Sequence, residues 1–164
     1  MATALSNLSD YNHEDVPDGS NYTVAIAVSE WNYNITGNLL KGALETLKKH
    51  GVKPENIIIE HVPGTFELPT AAQFLAKTNR FDGIITIGSV IQGETKHFDF
   101  VCEAASQGVK DVGINENMPV IFCVLTDNTM QQGIDRSGGK HGNKGVEAAV
   151  ACLKMVNLQQ SLNQ

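Results

Sequence analysis

Four side chains in this sequence have the chemistry to handle a small polar molecule: His97, Glu67, Arg136 and Trp31, the only tryptophan of the 164 residues. His97 lies in "GETKHFDFV", and an imidazole with an unperturbed pKa of about 6.5 is suited to move protons at neutral pH. The alternative for a lone histidine is a polar residue at the start of a helix. Just before it, Gly93, Glu94 and Thr95 would offer a phosphate free backbone N–H groups and the positive end of a helix dipole. A phosphate there requires the Glu94 carboxylate to face away. Metal chemistry through His97, Asp99 and Cys102 is disfavoured: the spacings match no ligand motif, and residues two apart on a helix point different ways.

Glu67, between Phe66 and Leu68, can accept several hydrogen bonds from a polyol, or simply favour the dipole of the helix it opens. Trp31 can stack on a planar heterocycle or seal a sheet edge. Arg136 can grip a phosphate through two parallel N–H bonds, or stand as a solvated charge. It precedes the glycine-rich "SGGKHGNKG", which carries Lys140 and Lys144, and His141 there reads as a loop residue. No serine or cysteine is paired with a base, and there is no Walker A, GxGxxG or CxxC pattern.

These side chains need elements to position them. Runs rich in β-branched residues predict strands at 22–29, 56–62, 82–90 and 119–126, and their near-continuous apolarity predicts cover on both faces. Helical patterns lie between them. Ile35, Leu39, Ala43 and Leu47 recur at spacing four, ending in Lys48, Lys49 and Gly51. "ELPTAAQFLAKT" predicts a second helix with Pro69 in its first turn, and a third runs from about His97 to Val112. "TMQQ" at 129–132 fits a capping box opening a short helix, and "KGVEAAVACLKMVN" predicts a longer last one. Strands alternating with helices imply an α/β, flavodoxin-like three-layer sandwich around a central four-stranded parallel sheet. Ligands then sit outside the carboxyl ends of the strands. The segments there are "SEWNYN", "PGTFELP", "IQGETKHFD" and "TDNTMQQGIDR".

A net charge of −6 with only 12 Lys+Arg argues against partners held by a broad basic surface, so neither nucleic acid nor a membrane is expected. Cys102, Cys123 and Cys152 are odd in number, far apart and set in apolar segments. They read as buried thiols of a reducing compartment. Without a transit peptide or secretory signal, the cytoplasm is the expected location. Residues 1–20 read as a loose arm, ordered by other subunits or by the domain surface, and leave room for an N-terminal strand shared with a neighbour. Residues 21–158 form the single domain, and 159–164 a tail.

"PGTFELP", "GSVIQGETKHFDFV", "PVIFCVLT" and "GIDRSGGKHGNKGVEAA" resemble, in order and spacing, the motifs of the 6,7-dimethyl-8-ribityllumazine synthase family of riboflavin biosynthesis. The resemblance covers residues 22 to about 156. It implies condensation of 5-amino-6-(D-ribitylamino)uracil with 3,4-dihydroxy-2-butanone 4-phosphate, releasing phosphate and water, with no cofactor and no metal. Trp31 matches an aromatic, more often phenylalanine, that stacks on the pyrimidine. Thr65, Phe66 and Glu67 match the ribityl-binding segment, and Ser89, Val90 and Ile91 the strand end whose backbone reads the pyrimidine edge. Glu94 and Thr95 match the pair that binds the butanone phosphate, and His97 the proton donor. Phe122 and Arg136 match residues supplied by the adjacent subunit, the arginine to the phosphate, and Lys144 a lysine near the heterocycle.

The implied chemistry is imine formation, phosphate elimination, a conformational rotation and ring closure. Departures from the pattern are Gln92, where many relatives carry arginine, Glu94, where small residues or other acids occur, and Cys123, where glycine is common. The loss of a cation at Gln92 places more of the anion binding on Arg136. Relatives assemble as pentamers, decamers or icosahedral shells of twelve pentamers, and the short "SGGKHGNKG" connection resembles that of shell formers. Riboflavin synthase is a candidate partner. Rival readings are a flavin-binding relative without catalysis, a shell protein with a vestigial pocket, and a flavodoxin-type carrier, whose phosphate loop "SEWNYN" does not supply.

Overall fold

A computed structural model describes residues 7–163. Strands β1 (Val24–Ser29), β2 (Ile57–Val62), β3 (Gly83–Ile91) and β4 (Val120–Asp127) form one sheet in the order β2-β1-β3-β4, every pairing parallel. Helices α1 (Tyr33–Lys49), α2 (Leu68–Lys77), α3 (His97–Asn115), α4 (Met130–Arg136) and α5 (Lys144–Leu162) connect and cover it. The flavodoxin-like sandwich expected from the sequence is therefore present.

The alternation of a strand sorts the core into two faces. Val24, Ile26 and Val28 of β1 pack with Ile85 and Ile87 of β3 against Leu39, Ala43 and Leu47 of α1 and Ala149 and Leu153 of α5. Ala25 and Ala27 point the other way, where Ala72 and Ala76 of α2 and Val112 of α3 lie over Ala25, and Leu68 of α2 over Ala27. β1 is buried along all six residues because it is central. β2 is an edge strand, with Ile59, Glu60 and His61 exposed, so the expected cover on both faces fails there.

Local signals explain the helix ends. Gly51, at φ 94°, donates to the Lys48 carbonyl and Val52 to that of Leu47, a Schellman arrangement that stops α1 and returns apolar Val52 to the core. Thr129 caps α4 by accepting from the Gln132 N–H, but the Gln132 side chain accepts from the Asn128 N–H, one residue earlier than a capping box requires. α3 runs three residues past the expected Val112, to Asn115, where Glu116 takes Lys77 at 2.8 Å and Gln73 at 2.5 Å from α2. These partners hold its carboxyl below the usual range.

The glycine-rich connection is not a bare loop: β5 (Ser137–Gly139) and β6 (Gly142–Asn143) form a small antiparallel hairpin. Residues 7–20 lie on this hairpin and on the end of α1. Leu8 donates to the His141 carbonyl at 2.8 Å, Asn143 to Ser9 Oγ at 2.9 Å and Gly19 to the His50 carbonyl at 2.7 Å. Residues 1–6 of the expected arm lie outside the described residues. At the other end α5 continues to Leu162, beyond the expected start of a tail at 159. Cys123 and Cys152 are buried thiols that burial pushes up to about 12, whereas Cys102 is only half-buried. Among the described residues, no helix is long and apolar enough to cross a membrane.

Asn143 ties the helical layer to the hairpin. Its side chain accepts from the Gly145 N–H at 2.8 Å to cap α5 and donates to the Asn38 carbonyl of α1 at 2.9 Å. This crossing needs glycine, since a Cβ on Gly145 would overlap the Leu39 carbonyl oxygen. Gly145→Ala should therefore cost about 1–3 kcal/mol, the scale of overpacking, and lower the thermal unfolding midpoint. An unchanged midpoint would show that α1 and α5 do not approach so closely.

Candidate active site

The chain leaves β1 toward α1 on one face of the sheet and leaves β3 toward α3 on the other, so a crevice opens between these adjacent strands. A cavity of about 620 Å³ occupies it. β3 forms its floor because it outruns its neighbour: pairing with β1 ends at Val28↔Ile87, while pairing with β4 continues to Ile91↔Asp127. Gln92 donates to the Asp127 carbonyl on the β4 side. By the two-residue alternation of a strand, Ser89 and Ile91 present their N–H and C=O groups to the side that β1 has vacated.

Asn32 fixes part of this edge. It adopts the left-handed conformation (φ 60°) that asparagine tolerates, and its Nδ2 donates to the Ser89 carbonyl at 2.9 Å. Trp31, held by its N–H to the Pro63 carbonyl, stands 72% exposed at the mouth beside exposed Phe66. Two large exposed aromatic rings thus line the cavity. Glu67 sits at the N-cap position of α2 but caps nothing with its side chain. Gly64 makes room for the carboxylate, with Oε2 3.0 Å from where a Cβ would stand. The carboxylate is thereby left as an acceptor on the cavity wall.

On the far wall, Gly93, Thr95 and His97 lead into α3, which opens without a side-chain cap. The backbone N–H of His97 makes only a long 3.4 Å contact to Thr95 Oγ1. Orphan donors at a helix start attract an anion. Buried oxygens tell a similar story: Thr65 Oγ1 and Ser89 Oγ border the cavity without a hydrogen-bond partner among the described residues. Such groups cost on the order of 1–3 kcal/mol each until something satisfies them.

The family model for 6,7-dimethyl-8-ribityllumazine synthase matches residues 21–160. The chain belongs to this family. It is accordingly an enzyme of riboflavin biosynthesis. The 6,7-dimethyl-8-ribityllumazine synthase of Porphyromonas gingivalis is 53% identical over 98% of this chain and 99% of its own length. That of Parabacteroides distasonis is 53% identical over 96% and 98%, and that of Phocaeicola vulgatus 48% over 100% and 98%.

The structure brings together ten of the residues singled out from sequence for this lumazine synthase family chain: Trp31, Thr65, Phe66, Glu67, Ser89, Val90, Ile91, Gly93, Thr95 and His97. Four others do not line the cavity. Glu94 is exposed to solvent beside it. Phe122 packs over Ala27 and Val124 in the α2 layer. Arg136 ends α4, with Nη1 donating to the Gln132 carbonyl at 3.1 Å, and Lys144 opens α5, paired with Glu147 at 2.7 Å.

Sequence reasoning missed Asn32, Phe98, Val101 and Met130, which also line the cavity. Asn32 could have been suspected, being a residue tolerant of positive φ directly after a strand. Phe98 and Val101 carried the signal of an amphipathic helix facing the same segment as His97. Met130 had no signal: its place follows from the fold of α4 over the cavity.

Proposed function

We propose that this chain condenses 5-amino-6-(D-ribitylamino)uracil with 3,4-dihydroxy-2-butanone 4-phosphate to 6,7-dimethyl-8-ribityllumazine. The observation that carries this reading is the single cavity joining an aromatic slot, a free carboxylate, an open strand edge and a helix start next to an imidazole. The pyrimidine stacks at Trp31 and Phe66, with its polar edge on the Ser89 to Ile91 backbone. Its ribityl hydroxyls reach Glu67 and Thr65. The butanone phosphate lies at Thr95 and the start of α3, with the Glu94 carboxylate in solvent.

Imine formation between the uracil's amine and the butanone carbonyl releases one water. Elimination releases inorganic phosphate, and ring closure by the ribityl-bearing nitrogen releases a second water. His97 carries protons between these groups, and orientation of the two substrates supplies much of the rate. No step requires a metal or a redox cofactor.

The single-chain cavity contains no arginine or lysine on its walls, yet one substrate is a phosphate. We assign the missing cation to Arg136 of an adjacent subunit, with Phe122 and Lys144 completing the heterocycle's surroundings. Exposed Phe74, Phe100, Ile114 and Met155 provide apolar surface for such contacts. A pentamer meets the requirement, and the short connection at 137–145 favours twelve of them in an icosahedral shell, with riboflavin synthase as a candidate partner. The location that fits is the cytoplasm.

Mixing the two substrates with the protein should produce lumazine fluorescence; riboflavin binding without turnover would favour the flavin-binding alternative. His97→Ala should retain measurable activity, about 10²-fold reduced as for loss of a proton-transfer group, while Arg136→Ala should chiefly raise KM for the phosphate substrate. Equal and total loss from both would contradict this division of roles. Light scattering should report a shell-sized particle, and a pentamer-sized one would overturn the icosahedral assignment.

A further inference from the structure

Among the described residues, a third buried oxygen lacks a hydrogen-bond partner, and the cavity does not explain it: Oδ2 of Asp127. Asp127 ends β4 opposite Ile91 and is 5% exposed. Its carboxylate lies against α4. A Cβ on Gly133 would stand 2.5 Å from Ile35 Cδ1 and 3.2 Å from Oδ2, so a side chain there would push Ile35 aside and crowd the carboxylate. Arg136 follows Gly133 by three residues and shares that face of the helix. Among the described residues, its one hydrogen bond runs from Nη1 to the Gln132 carbonyl, which leaves the rest of the guanidinium fork for other partners.

Arg136 is the charged group that acts on Asp127: burial pushes the carboxyl up, and the guanidinium draws it back down. The other charged side chain of α4, Asp135, is engaged by Gln131 at 2.8 Å and Lys140 at 3.3 Å. β3 brings Ile91 and Gln92 to Asp127, and α1 brings Ile35, none of them charged. A carboxylate in this place therefore costs folding free energy that the attraction of Arg136 offsets only in part. A role at the phosphate would account for its presence.

Resting on the reading of Arg136 as the phosphate's cation, we propose that Asp127 is a positioning residue whose buried carboxylate, without a direct ion pair, draws the Arg136 guanidinium to one side of the α4 face and so sets the direction in which its fork meets the substrate. The neighbouring subunit's cavity then receives an arginine already oriented. Preorganisation of this kind lowers the cost of ordering a long side chain at each binding event. Gly133 belongs to the same device, because a side chain there would crowd the carboxylate.

The linkage sign is opposite to that of an ordinary salt-bridged aspartate. With the folded-state pKa raised above that of the unfolded chain, the native state binds more protons, and stability falls as pH rises through the folded-state pKa. Asp127→Asn should therefore raise the unfolding temperature at neutral pH. It should also raise KM for the butanone phosphate about fivefold, the upper end for a charge contact with partial solvent access, with KM for the uracil unchanged. The difference from wild type should shrink toward acid pH, where Asp127 itself becomes neutral.

Gly133→Ala, which keeps the carboxylate but crowds it, should raise the same KM and provides the test if Asp127→Asn does not assemble. An unchanged phosphate KM in the available variant would overturn the proposal. So would a lower unfolding temperature with a pH-independent loss of activity toward both substrates, the mark of a purely structural role. Arg136→Ala, measured alongside, separates the two layers. An unchanged phosphate KM in Arg136→Ala removes the reading of Arg136, whereas a raised one with no effect at Asp127 or Gly133 removes only the positioning role.

Discussion

The pairing of β1 with β3 is the constraint on which the site depends. These strands lie side by side and in register from Val24↔Gly83 to Val28↔Ile87, yet the chain leaves them toward opposite faces. No packing can close the gap above them. β3 continues for four residues along β4 alone, so a strip of backbone N–H and C=O groups is left facing the gap. Asn32 ties one of those carbonyls down, and the rest await a ligand. Trp31, Glu67 and His97 are where they are because each is among the first residues after β1, β2 and β3.

The scaffold is rigid where the site is unfinished. Val24, Ile26, Val28, Ile85 and Ile87 are fully buried beneath the cavity, and glycine at 88 lets Leu68 and Thr65 of the α2 layer press against the strand itself. Above them stand exposed aromatics, a helix start without a side-chain cap and oxygens without hydrogen-bond partners among the described residues. Each of these costs stability in the isolated chain, and each is a group that a substrate or a second subunit can satisfy. The distribution separates what holds the fold from what binds.

Much of this was legible in the sequence. Periods of four in α1 and continuous apolar runs in the strands reflect burial on particular faces, which is a local property of the pattern. Edge position is not local, so β2 read as covered on both faces although Glu60 and His61 interrupt its run. The β5–β6 hairpin was missed because its glycines, at φ 114° and 79°, look the same in a flexible loop as in a tight turn. For the site, the rule that ligands sit at strand ends pointed to Trp31, Glu67 and His97, and all three line the cavity. Asn32 and Asp127 escaped because their contacts, to Ser89 and to the face of α4, are ones that only the folded chain creates.

We propose that the phosphate's cation lies on a different subunit from the cavity it serves. A co-assembly experiment tests this most directly. Gly93 lines the cavity with open space around it, so Gly93→Trp should fill the slot while leaving Arg136 in place. Arg136→Ala leaves the slot open and removes the cation. Mixed rings refolded from the two variants should contain open cavities facing intact arginines, and should recover turnover with the wild-type KM for the butanone phosphate. Kinetics equal to the sum of the two separate variants would show that Arg136 does not act across the interface.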